Sequence, residues 1–153
     1  MIQLAMRPLY KLIILFIGIL VTFQKTFAQN ISNEGLEFWV CFPDHVPSED
    51  KFATMSLFIT SKNNSSGVVS CGTYSEPFTI TANTVKEILV PREISYIGTG
   101  SKIAKNKGIR VKVNQGQAKV VVYAHVFAGF RSAATLVLPY EALGGKHFAM
   151  AYD

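Results

Sequence analysis

Few side chains in this sequence could do more than pack. They are Cys41 and Cys71, the histidines His45, His125 and His147, and acids such as Asp44 and Glu141. Cys41, His125 and Asp44 supply the types needed for a thiol nucleophile, its base and the group that orients the base. Neither cysteine, however, lies at a helix start or in a nucleophile turn. Cys41 sits within "FWVCF", an apolar setting that favours the uncharged, inert thiol. A thiol-dependent hydrolase using Cys41 and His125 is therefore the alternative reading, and a chain without catalytic residues the primary one. The histidines stand far apart, with no HxH, HExxH or CxxC spacing that would hold a metal. No metal and no cofactor is expected. His125 falls in an apolar strand and reads as a hydrogen-bonded sheet histidine, and Glu141 as an exposed turn acid.

One charged cluster offers a different kind of chemistry. Lys102, Lys105 and Lys107 are followed by Arg110 and Lys112, which makes this stretch the candidate ligand-binding surface. It would attract sulfated or sialylated glycans by charge; the competing reading is a solvated loop and strand face. No aromatic residue is interleaved in it, so it does not read as a nucleic-acid surface.

The first residues bear on where this chemistry would operate. Arg7 and Lys11 precede the apolar run Leu12–Phe23, and small side chains follow at Thr26 and Ala28. That is the layout of a secretory signal peptide, residues 1–28. The run is shorter than the roughly 20 apolar residues of a spanning helix, so no stable membrane span is expected after cleavage. Of the 153 residues, 125 then remain, the size of one domain with its own core. The leader carries Arg7, Lys11 and Lys25 but none of the acids, so the formal charge falls from +5 to +2. Nucleic acid is not an expected partner. In an oxidising compartment Cys41 and Cys71 invite one disulfide; two separate buried thiols are the other reading. Asn30, Asn63 and Asn64 begin N-x-S/T triplets, and residues 63–66 read as an exposed turn.

The elements that must position these residues read as strands. Leu36–Phe42 is apolar on both faces, as a central strand would be. Thr54–Ser61 and Val68–Cys71 flank the turn cluster "KNNSSG" and predict a hairpin. Pro77–Thr81 and Val85–Val90 flank Ala82–Thr84 and predict another. Ile109–Val113 alternates apolar with basic, Lys119–Phe127 is the most apolar strand and predicted central, and Arg131–Leu138 follows. Strands at this spacing, with Gly, Pro and Asn between them, indicate an all-β antiparallel sandwich over residues 29–153. Near its end "LVLPYEALGGKHF" predicts a corner. Pro139 stops a strand, Tyr140–Leu143 make one helical turn pinned by Leu143 and Tyr140, and Gly144 caps it at positive φ. His147–Tyr152 reads as one further strand whose partner must come from earlier strands or from sequence elsewhere.

The order of these pieces resembles the IgGFc-binding protein N-terminal domain family. The segments that carry the likeness are "EFWVCF", "MSLFITSKNNSSGVVS", "FTITANTVKEILVP", "NKGIRVKVNQGQAKVVVYA" and "TLVLPYEALGGKHFAMAY", over about Leu36 to Tyr152. The resemblance implies an extracellular binding or adhesion module without catalytic residues, and no residue inherits a binding role from it. It does not single out IgG as the ligand. The family domain is longer, so the resemblance also implies that this chain either holds only its first half, as a truncated product or fragment, or is a short stand-alone member. The expectation is a secreted or cell-surface protein that binds glycan, mucin or another protein; a structural spacer or incomplete fragment is the remaining alternative.

Overall fold

A computed structural model describes residues 32–43, 53–98, 106–129 and 131–144. The expected signal peptide, Asp44, His45, Lys102, Lys105, His147 and the expected strand at 147–152 lie outside the described residues.

Period-two alternation places apolar side chains on one face of each strand, and the strands assemble accordingly. Their order is β1 (Glu37–Val40), β2 (Thr54–Thr60), β3 (Ser65–Cys71), β4 (Tyr74–Ile80), β5 (Val85–Leu89), β6 (Ile109–Val113), β7 (Val121–Ala128) and β8 (Arg131–Val137). Among the described residues they form two antiparallel four-stranded sheets, ordered β1-β6-β3-β4 and β5-β2-β7-β8. The inner faces meet in one core. Phe38, Val69, Phe78, Ile80, Ile109 and Val111 come from the first sheet, and Met55, Leu57, Ile59, Ile88 and Val122 from the second. Burial of each such side chain contributes about 1.5–3 kcal/mol. The protein is an all-β sandwich, and β7 lies inside its sheet as its composition predicts.

Two expected hairpins are instead crossings between sheets. β2 and β3 belong to different sheets, as do β4 and β5. The turn signals were right that the chain reverses; period two cannot say whether it returns beside the same strand or across the core. Side chains fix the corners. Buried Ser61 and Ser65 donate from Oγ to the carbonyls of Lys119 and Ala118, each over 2.7–2.8 Å, and the N–H of Ala82 donates to Asn64 Oδ1 at 2.8 Å. Asn83 adopts φ 60° in the second crossing, a left-handed conformation that asparagine tolerates. True hairpins join β3 to β4 and β7 to β8. Gly72 and Gly129 take φ 58° and 60° at the first of two loop positions, as short hairpin loops require.

Leu36–Phe42 is likewise not a central strand. Among the described residues β1 ends its sheet beside β6, in the register Glu37↔Lys112 to Val40↔Ile109, and meets Pro139 on its other side through a single bridge at Phe38. Phe38 and Phe42 are buried while Trp39 faces outward. The run looked apolar on both faces because Trp39 counts as apolar wherever it points.

Between β5 and β6 one helical turn, α1 (Arg92–Ser95), follows Pro91. Ser95 is buried and donates from Oγ to the Pro91 carbonyl at 3.0 Å. The corner at Pro139 forms as a 3-10 turn, Tyr140–Ala142, but it is held differently from the expectation. Tyr140 and Leu143 are both exposed, and Pro139 is the buried residue. Pro139 bridges Phe38 on the outer edge of β1. Glu141, beyond its expected role, accepts a hydrogen bond from the Leu36 N–H at 2.8 Å. Gly144 does not take positive φ, because Leu143 ends the turn in extended geometry.

Candidate functional site

The outward face of the first sheet carries the most organised polar cluster among the described residues. The antiparallel register sets Trp39 opposite Arg110 and Glu37 opposite Lys112 on neighbouring strands, all on the solvent side because Phe38, Val111 and Val113 take the inner positions. Arg110 grips the Glu37 carboxylate with two hydrogen bonds, Nε to Oε1 at 3.0 Å and Nη2 to Oε2 at 2.9 Å. This fork-on-carboxylate geometry is the strong form of the pair. Trp39 donates from Nε1 to the same carboxylate at 2.9 Å, and the Arg110 guanidinium lies 5.6 Å from the ring centroid, within cation–π range. Hydrogen bonding from Arg110, helped by the bond from Trp39 and by the charges of Arg110 and Lys112, holds the Glu37 carboxyl below its usual range against a smaller opposing effect of burial.

Trp39 is thereby fixed in place while half of its surface, 50%, stays open to solvent. Gly108 lies beneath the ring, where even a Cβ would be in van der Waals contact at 3.6 Å. Beside Glu37 an open groove of about 660 Å³ runs between Leu36, Lys112, the Asn114–Gln117 turn, Tyr140 and Glu141. The groove offers amides, a carboxylate, an ammonium group and the exposed ring of Tyr140. Such a set can hydrogen-bond to hydroxyl groups and stack against a flat apolar face.

The candidate residues of the basic stretch part company here. Arg110 and Lys112 belong to the platform. Lys107 donates from Nζ to the Glu93 carbonyl on α1 and does not join them. Lys102 and Lys105 lie outside the described residues. Sequence reasoning missed Glu37, Trp39 and Tyr140. The signal was present in the alternation of Glu37 and Trp39 with Phe38 and Val40, facing the Arg110/Lys112 alternation in register.

The thiol–imidazole pair is not assembled. Cys41 lies just past β1 and lines a cleft with Ala124 and Val126 of β7, whereas His125, between those two, projects from the opposite face. There it pairs with Ser132 Oγ at 2.7 Å and packs on Phe58 at 5.8 Å between ring centroids. Nor do the cysteines form a disulfide. Cys41 is an exposed free thiol, contrary to the inert setting expected of it, and Cys71 a buried one. Burial pushes the Cys71 thiol up, partly offset by the charge of Lys107. Among the described residues no group of three His, Cys, Asp or Glu gathers as metal ligands, and no helix is long and apolar enough to cross a membrane.

Comparison of the chain with protein-family models, curated proteins and solved structures returned no match.

Proposed function

We propose that the protein is an extracellular, non-catalytic binding module that captures a glycan on the Trp39–Arg110 platform and the groove beside it. The observation that carries this reading is the treatment of the chain's one tryptophan. Its one hydrogen bond to Glu37, a carboxylate itself gripped by Arg110, and the Arg110 guanidinium against its ring hold it, half exposed, on an open sheet face. Leaving so large an apolar surface in water forgoes about 1.5–3 kcal/mol of burial, and a bound partner would recover it. Exposed, immobilised Trp and Arg side chains are also the types that dominate binding surfaces. The secretory layout of residues 1–28 and the ordered resemblance to the IgGFc-binding N-terminal domain family support the extracellular setting and the binding role.

A screen of immobilised mucin, neutral and sulfated glycans, cell-wall polysaccharide and IgG tests it. The full chain is expected to bind at least one glycan surface and Trp39→Ala to lose that binding. Retention of only IgG, or equal binding by Trp39→Ala, would contradict the reading.

A further inference from the structure

Among the described residues one ammonium group, on Lys112, and two carboxylates, on Glu37 and Glu141, line the groove beside the platform. Arg110 is matched by Glu37 through both carboxylate oxygens, and Lys107 is engaged on α1. Lys112 and Arg110 thus stand against Glu37 and Glu141, a balanced set without a net charge to draw an anion. The Glu141 carboxylate is fixed at the groove wall by the Leu36 N–H at 2.8 Å, and a backbone N–H holds it without cancelling its charge. The facing wall is the Asn114–Gln117 turn, closed from the Gln117 N–H to the Asn114 carbonyl at 3.1 Å, with Gly116 at φ 78°. Glycine at the third turn position permits that angle. Asn114 is tied back to Ser66 twice, from its N–H to the carbonyl and from Nδ2 to Oγ, both at 2.9 Å. The turn is therefore preformed, and the exposed Gln115 and Gln117 bring amide donors and acceptors that carry no charge.

We propose, on the reading of Trp39 as a glycan platform, that this groove selects neutral glycans and that Glu141 is the residue that turns anionic ones away. A sugar hydroxyl both donates and accepts. It can give its proton to a carboxylate of the groove and take one from Lys112 or a glutamine amide, so both signs of charge serve a neutral ligand. An ester sulfate or a sialate carboxylate only accepts, and in a groove lined by Glu37 and Glu141 it meets like charge, the device by which surfaces suppress wrong partners. The apolar face of a sugar ring has the exposed rings of Trp39 and Tyr140 to lie on. The preference is the reverse of the one that the run of Lys and Arg suggests in sequence. Strand register and the 3-10 turn set Glu37 and Glu141 beside the cations, and charge counted along the chain does not see them.

Binding of the full chain to an array of neutral glucose, galactose and N-acetylglucosamine oligosaccharides, beside their sulfated and sialylated forms, tests this. The best neutral member should bind at least about tenfold more tightly than its anionic counterparts. Its affinity should change less than about twofold between about 0.05 and about 0.5 M salt, because there is no ligand charge to screen. Glu141→Gln keeps an oxygen for the Leu36 N–H and should narrow the preference at least about threefold by strengthening the anionic ligands. Should that variant not fold, Gln115→Lys on the exposed turn decides instead, since the added cation should shift the preference the same way. Tighter binding of a sulfated or sialylated member that is lost in Trp39→Ala would overturn the selection of neutral glycans and leave the platform standing. A preference unchanged in both charge variants would overturn the role of the groove charges. Binding to no member would overturn the inference together with the glycan platform.

Discussion

Glu37 is the residue on which the platform turns, since both Arg110 and Trp39 hold to its carboxylate. Its folded pKa lies below the ordinary 4.5. A depressed carboxylate stabilises the fold above that value, and the contribution is lost as pH falls through the folded pKa. Trp39, the sole tryptophan, reports on this directly. Its emission should stay constant from neutral pH down to about 4.5 and shift only below, and Glu37→Gln should abolish the shift; a transition above 4.5 would contradict the assignment. The two thiols make a second test. In native protein a thiol reagent should modify Cys41 alone, and Cys71 should react only on unfolding, because exposure decides access. No free thiol under denaturing, non-reducing conditions would restore the disulfide. At this scale the sequence was least legible. Residue type marked Arg110 and Lys112 as candidates, yet only strand register separates them from Lys107 and joins them to Trp39.

At the scale of elements, two close approaches hold the first sheet together. Gly67 on β3 lies where a Cβ would come within 2.4 Å of the Lys112 carbonyl and 2.5 Å of the Phe78 ring. A backbone oxygen cannot step aside as a flexible side chain can, so Gly67→Ala should cost about 1–3 kcal/mol or more in urea unfolding. Gly35 meets Pro139 in the same way, its Cβ position lying 2.1 Å from Pro139 Cβ, and Gly35→Ala should cost a similar amount by displacing the cover of β1. Gly144, with nothing within 4 Å and no positive φ, serves as the control and should tolerate alanine with little change. Strand positions were legible from period two throughout, and the corner at Pro139 was legible from its Pro and Gly. Pairing was not. Whether "KNNSSG" joins a hairpin or crosses the core depends on buried Ser61 and Ser65 reaching the carbonyls of a loop more than fifty residues away, and no local pattern carries that.

For the whole molecule the division of faces matters most. One sheet presents Trp39, Arg110, Glu37 and Lys112 outward, and the other presents Tyr123, Phe127, Leu89 and Val85. Composition could establish the sandwich, since alternating strands with polar turns have few other ways to bury one face each. It could not assign the outer faces, because an exposed Trp and a buried one read alike in sequence. Under the proposed function the tryptophan face is the surface that takes glycan. Titration of the full chain with an oligosaccharide drawn from the bound glycan, followed by Trp39 emission, tests it most directly. The expected result is a saturable change in emission, with binding measured by calorimetry at least about tenfold weaker in Arg110→Ala and lost in Trp39→Ala. Oligosaccharide binding that leaves Trp39 emission unchanged and survives Trp39→Ala would contradict the claim.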